Sequence, residues 1–295
     1  MKGEPSRNDP ERAPTADAGQ SIGRHEVVSV RVGEIPEAAA AGTVAAVYAD
    51  IRRVLGVSFV PLVYRVLACE SDRLEGIWAD VAPNLGDEIT VRAAGKLGAT
   101  PASSAAGRPP ESDLSDARTA AAVATIGAYR RSNALNLIGL SALGDGISAP
   151  RASAPVPSAR PRSRSILPMA DLAVLPRSTI ALLEEMSAPI AGAERPIVIP
   201  SLFRHFAHDE RLLADIWTAI RPQVATPDFA NATSAIRVEA RAIASSLPYR
   251  IARVENENTR RIVERFIATI SAMIVAGGLL EAAISHPTRR DGVGD

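Results

Sequence analysis

The chain has 295 residues, 46% of them hydrophobic, and its 33 basic and 33 acidic side chains cancel to a formal net charge of zero. That balance leaves no electrostatic footprint for nucleic acid or an anionic membrane surface. The single cysteine, Cys69, excludes an intramolecular disulfide, a CxxC redox pair and a cysteine zinc site. Four histidines, His25, His205, His208 and His286, are too scattered for a metal centre. His205, His208 and Asp209 lie close together in sequence, but a solvated helix end is the simpler reading of that group. No P-loop, dinucleotide fingerprint or Ser–His–Asp order is present, so neither a cofactor nor a metal is expected.

Residues 1–25 read as a disordered tail. They are polar, rich in Pro, Asp, Glu and Arg, and lack the apolar core of a signal peptide. Apolar residues then recur at spacings of three and four in Val44 to Leu55, Ser115 to Tyr129, Thr179 to Met186, Phe229 to Ser246 and Asn258 to Ile284, which predicts helices. Asp72 and Asp209 stand near the starts of two more helices, those carrying Trp78 and Trp217, where a carboxylate favours the helix dipole. The stretch 196–200 is the one short strand candidate, and aromatics at 4% are few for a β-rich fold. A Pro/Ser/Gly patch at 100–110 interrupts the first half. The segment 149–165, dominated by Pro, Ser and Arg, reads as a linker. The longest apolar run, Ile267 to Leu280, falls short of the roughly 18 residues of a membrane span and reads as a buried helix. A cytoplasmic, soluble protein is expected.

One segment occurs twice. Val60 to Ala68 reappears as Ile199 to Ala207 at an offset of 139 residues, and the register then carries Leu74, Ile77, Trp78 and Pro83 onto Leu213, Ile216, Trp217 and Pro222. The predicted fold class is therefore all-α, with two homologous helical repeats forming a pseudo-dimer around a central cleft. The boundaries are repeat 1 at 26–148, linker at 149–166, repeat 2 at 167–286 and tail at 287–295. Pro61 and Pro200 each stand where a helix begins, after an extended apolar step. Such a start exposes free backbone N–H groups that can hold a carboxylate or carbonyl. Arg65 and Arg204 match across the repeats. A residue needed in both halves suits a scaffold role, since a single active site is asymmetric, so both read as ion-pair partners.

Four stretches carry a family resemblance. Tyr48 to Ala68 resembles the N-terminal motif of the group I 2-haloacid dehalogenases, all-helical enzymes with two pseudo-symmetric repeats. Ser132 to Leu143 resembles that family's middle helix. Leu182 and Leu183, followed by Pro200, Ser201 and Leu202, resemble the start of its second repeat. Arg265 to Ile274 resembles its last core helix. The resemblance spans roughly 40–285 and implies displacement of halide from C2 of a short 2-halo acid by direct attack of water. That chemistry needs a base for the water, an amide to orient it, and an apolar pocket with donors for the substrate carboxylate.

The resemblance assigns the orienting amide to Asn133. It assigns Phe59 to the position of a pocket Trp, Leu62 to a pocket Phe, Asn136 to a Tyr on the middle helix and Val263 to a pocket Tyr on the last helix. Pro61 and Ile267 complete the expected wall. The family's Ser–Asp pair, whose Asp is the base, falls on Ser201 and Leu202. Leucine accepts no proton at any pH, so the family mechanism cannot run unchanged. His205, one helical turn beyond Ser201, is the candidate replacement; Glu194 and Asp209 are others. Expected partners are a small-molecule substrate or ligand of the short carboxylic acid type, with no nucleic acid and no membrane; a homodimer is left open. The residues leave a dehalogenase-type hydrolase, a repurposed small-molecule binder and a purely structural partner protein as competing functions.

Overall fold

The computed structural model describes residues 33–99, 115–147, 165–192 and 198–285. The tails, the 100–110 patch, nearly all of the linker, Glu194 and the first two residues of the strand candidate lie outside those residues. The described chain is all-α, with no strand and one isolated antiparallel bridge between Ile147 and Ile251. Val198 to Pro200 lead into a helix without strand pairing.

In chain order the helices are α1 (Gly42–Leu55), α2 (Leu62–Leu67), α3 (Ser71–Gly86), α4 (Glu88–Gly98), α5 (Asp116–Asp145), α6 (Arg177–Ala191), α7 (Ser201–Arg204), α8 (Glu210–Val224), α9 (Pro227–Ala244) and α10 (Glu257–Ser285). Local chemistry sets many of the boundaries. Asp87 caps α4 by accepting from the amides of Ile89 and Thr90, Asp209 caps α8 through Leu212 N–H, and Thr226 caps α9 with Pro227 in its first turn. Gly56 closes α1 at φ 66°, a left-handed backbone where glycine meets no Cβ penalty. The periodicity that stopped at Tyr129 runs on: α5 is a single helix of 30 residues. Nothing in 130–145 breaks it, and Gly139 lies close against Leu85, where an added Cβ would stand 3.2 Å from the leucine side chain.

The two longest helices, α5 and α10, make the most extensive contact and form the centre of one continuous apolar core. Around them the same relations occur twice. α1 packs on α3 and α6 on α8. The Trp78 indole donates to Asp50 on α1 at 2.8 Å, and the Trp217 indole donates to Glu185 on α6 at 3.0 Å. The two short helices cross over: α2 packs on α10, and α7 packs on α5. Each proline-led turn is thereby pressed against one of the two long helices. Asn84, fully buried, links α3 to the segment after α9, donating to Tyr249 C=O at 2.9 Å and accepting from its N–H at 3.0 Å.

α10 is, among the described residues, the one helix long and apolar enough to cross a membrane, but 78% of its most apolar window is buried. Its composition serves the core. α4 and α5 approach so closely that a Cβ on Gly98 would lie 2.8 Å from the Arg130 carbonyl oxygen. Gly98→Ala is therefore expected to cost about 1–3 kcal/mol through overpacking against backbone, more than the roughly 1 kcal/mol that alanine returns in helix propensity. Thermal unfolding checks this; a melting temperature at or above wild type contradicts the close approach.

Candidate functional site

A cavity opens where the two short helices face the two long ones. Pro61, Leu62 and Val63 line it from α2; Val198, Pro200, Ser201 and Leu202 from α7; Tyr129 and Asn133 from α5; and Phe266, Thr269, Ile270 and Met273 from α10. It is small, about 40 Å³, room for a few waters or the body of a very small acid. The lining is mostly apolar, and no described lining residue is a carboxylate or a cation. The amides of Leu62, Val63, Ser201 and Leu202 open the short helices, where backbone donors have no intrahelical acceptor.

The polar groups are few and ordered. Asn133 is 8% exposed and its amide has no hydrogen-bond partner among the described residues. Tyr129, one turn earlier on the same face of α5, stacks on Phe59 with ring centroids 4.1 Å apart and planes within 9°. Its hydroxyl is 3.0 Å from His205 Nε2, and His205 Nδ1 is 2.6 Å from the Leu167 carbonyl oxygen. A carbonyl only accepts, so Nδ1 carries a proton. In the neutral ring Nε2 is then the acceptor, and Tyr129 donates to it. Leu167 is itself pinned, its N–H donating to Thr125 Oγ1 on α5 at 2.9 Å. Burial pushes the His205 imidazole down to about 4, and the nearby Arg204 and Arg65 charges act the same way, against the Leu167 hydrogen bond. Burial likewise raises the Tyr129 phenol well above its ordinary value. At neutral pH the pair is thus phenol and neutral imidazole.

Below the cavity floor lies an ionic cluster. Glu34 accepts an Arg204 hydrogen bond at 3.0 Å and lies 3.2 Å from Arg65. The guanidinium side chains are 1% and 8% exposed for Arg65 and Arg204. The matched arginines are thus ion-pair partners, as their shared register suggests, but they share one carboxylate. Arg65 spends a further donor on Ser201 Oγ at 2.6 Å, while its Nε finds no partner. Ser201 Oγ accepts from Arg65 and donates its own proton to the Tyr129 oxygen.

The residues expected from sequence separate into two groups. Pro61, Leu62, Asn133, Ser201 and Leu202 meet on the cavity. The others do not line it. Phe59 backs Tyr129. His205 is reached only through Tyr129; it is 4% exposed rather than at a solvated helix end. The Leu167 carbonyl and the Tyr129 hydroxyl hold its ring in the core, and His208 beside it is exposed. Asn136, three residues past Asn133, turns off the cavity face, accepts from the Tyr64 hydroxyl at 3.0 Å and leaves its own amide nitrogen unpartnered. Val263 is fully buried one turn before the cavity wall, and Ile267 is half-buried beside it; neither lines the cavity. The wall comes instead from Phe266, Ile270 and Met273, at spacings of four and three, with Thr269 between them. Tyr129 is the main polar lining residue that the sequence reading missed, although its position four before Asn133 placed it on the same helix face. Asp209 is occupied as the α8 cap and pairs with Arg118 at 3.4 Å. Among the described residues no group of three His, Cys, Asp or Glu side chains converges.

No protein-family model matches the chain, and a comparison with curated proteins finds no match. Solved structures do match. A D-2-haloacid dehalogenase mutant superposes with a TM-score of 0.66 at 16% identity, over 86% of this chain and 94% of that one. A complex of such a mutant with D-2-CPA gives 0.67 at 18% identity, over 87% and 95%. A complex of D-2-haloacid dehalogenase with L-LA gives 0.67 at 16% identity, over 87% and 96%. The chain has the fold of these all-α proteins across nearly its whole described length.

Proposed function

We infer that the cavity takes a small carboxylic acid with an apolar substituent on C2, and that the protein is a hydrolase of the 2-haloacid dehalogenase type or one acting on a related small acid. The observation that carries this is the meeting of Asn133, Ser201 and both proline-led helix starts on one small apolar cavity. Two further features support it. Neighbours of the same fold hold D-2-CPA and L-LA. Two buried guanidinium groups sharing one carboxylate favour an anion nearby, since an unmatched buried charge is costly, and Ser201 lies between Arg65 and the cavity. The two sets of helices are read as copies of one unit, with the site at their seam and the segment 149–166 joining them.

In this reading the helix-start amides take the substrate carboxylate, joined by the Ser201 hydroxyl as it turns from the Tyr129 oxygen. Apolar side chains from Leu62, Phe266, Ile270 and Met273 surround the carbon–halogen bond. Asn133 orients the attacking water. A second reading, binding without turnover, is favoured by one feature: Leu202 stands where the resemblance implies the base, and no described lining residue is a carboxylate. Halide release from D- and L-2-chloropropionate separates the two. Release from either enantiomer supports the hydrolase; thermal stabilisation by both acids without release leaves only the binder. Leu202→Asp is expected to raise the release rate tenfold or more, on the order of the lower part of what a positioned base contributes. A rate no higher than wild type in a folded variant contradicts the assignment of that position.

A further inference from the structure

The geometry points to Tyr129 and His205 as a proton relay that does the work of the missing carboxylate: Tyr129 takes the proton of the attacking water and passes its own to His205. This rests on the hydrolase reading and names the base that reading lacks. The direction of the relay is fixed by the contacts. The Leu167 carbonyl holds the Nδ1 proton of His205, so Nε2 presents a lone pair to the Tyr129 hydroxyl. Having donated there, the phenol oxygen can only accept on its cavity side, where the Ser201 hydroxyl meets it until the substrate carboxylate takes that donor. A water bound between Tyr129 and Asn133 therefore meets an acceptor at one end and an orienting amide at the other, on one face of α5.

The step balances without a co-reactant. The water oxygen forms its bond to C2 as the C2–halogen bond breaks, and halide leaves with the electron pair. One water proton moves to the Tyr129 oxygen while the Tyr129 proton moves to His205 Nε2. The products are the 2-hydroxy acid, halide and an imidazolium that returns its proton through Tyr129 to a water entering the cavity after the products leave. Tyr129 need never persist as a phenolate, which its burial forbids.

The basicity fits the task. Burial has brought His205 to about 4, the range of an ordinary carboxylate. As an acceptor it matches the aspartate it replaces and stays unprotonated through neutral pH. The charged groups acting on the ring are Arg204, Arg65 and His208, all cationic when charged. Phe59 shields the pair, stacking on Tyr129 and meeting His205 edge-on with centroids 6.2 Å apart.

Tyr129→Phe keeps the ring and its stack on Phe59 and deletes only the hydroxyl. Halide release by the full chain, with propionate affinity as the binding control, tests the relay. The expected result is a kcat lower by about 100-fold or more with propionate affinity changed less than about threefold. His205→Gln should lower kcat similarly, and wild-type kcat should fall with pH only as His205 protonates near 4, with circular dichroism confirming folded protein at each pH. A Tyr129→Phe rate within about threefold of wild type overturns the relay and leaves the hydrolase reading intact, even where His205→Gln fails to fold. Loss of propionate binding in Tyr129→Phe also overturns it, making the hydroxyl a binding group. No halide release by wild type from either enantiomer overturns the relay and the hydrolase reading together.

Discussion

Replacing Glu34 with alanine is expected to destabilise the protein by about 3–5 kcal/mol, the cost of breaking a buried ion pair from one side. Arg65 and Arg204 are both buried, and Glu34 is the carboxylate they share. Without it, two guanidinium groups face each other across the seam with no counter-charge. Arg204 retains the Ala170 carbonyl at 3.2 Å and Arg65 retains Ser201, but neutral acceptors do not balance two cations. The backbone would feel the loss as well. Ile35 N–H donates to the Arg65 carbonyl at 3.0 Å, and the Ile35 carbonyl accepts from the Tyr48 hydroxyl at 2.9 Å, so Glu34 anchors a strap across α1 and α2. For a chain of this size the expected fall in melting temperature is on the order of 10 °C. Glu34→Gln, which keeps the shape and one acceptor, should fall between wild type and alanine. A Glu34→Ala protein melting within about 2 °C of wild type contradicts the shared-carboxylate account.

Asn133→Ala is expected to move activity and stability in opposite directions. Its amide has no described protein partner, so alanine breaks no internal hydrogen bond. Alanine is also the better helix former by up to about 0.7 kcal/mol. The variant should therefore unfold at or slightly above the wild-type temperature. Halide release should fall by roughly 10²-fold, the usual penalty when a reacting group is no longer held in line. Steady-state rates and thermal melts on the same preparation check both halves of the expectation. A variant with wild-type turnover removes Asn133 from the mechanism. A variant that unfolds well below wild type makes its role structural.

The all-α class was legible from the apolar spacings of three and four. Two prolines, two arginines and two tryptophans in one register predict paired helical units, and each tryptophan donates to a carboxylate on the helix two before its own. The same register brought Pro61 and Pro200 to one cavity. The phase of α10 was not legible. Its middle is apolar on every face, so no periodicity distinguishes Val263 and Ile267 from Phe266, Ile270 and Met273. Only packing against α2 and α5 selects the face. The contacts of Glu34 were equally hidden. A single glutamate ahead of the first helix carries no local pattern, and one of its partners lies 170 residues away. His205 looked solvated beside His208 and Asp209 because the ring's partners, Tyr129 and Leu167, are 76 and 38 residues distant.

The seam cavity as the seat of a small acid is tested most directly by locating one there. Crystals of the Asn133→Ala protein, in which turnover is suppressed, would be soaked with 2-bromopropionate and measured at the bromine absorption edge. The account predicts one anomalous peak inside the cavity, among Leu62, Phe266, Ile270 and Met273, with the carboxylate toward Ser201 and the starts of α2 and α7. Bromine found only on the molecular surface, with the cavity closed by its own side chains, would contradict it.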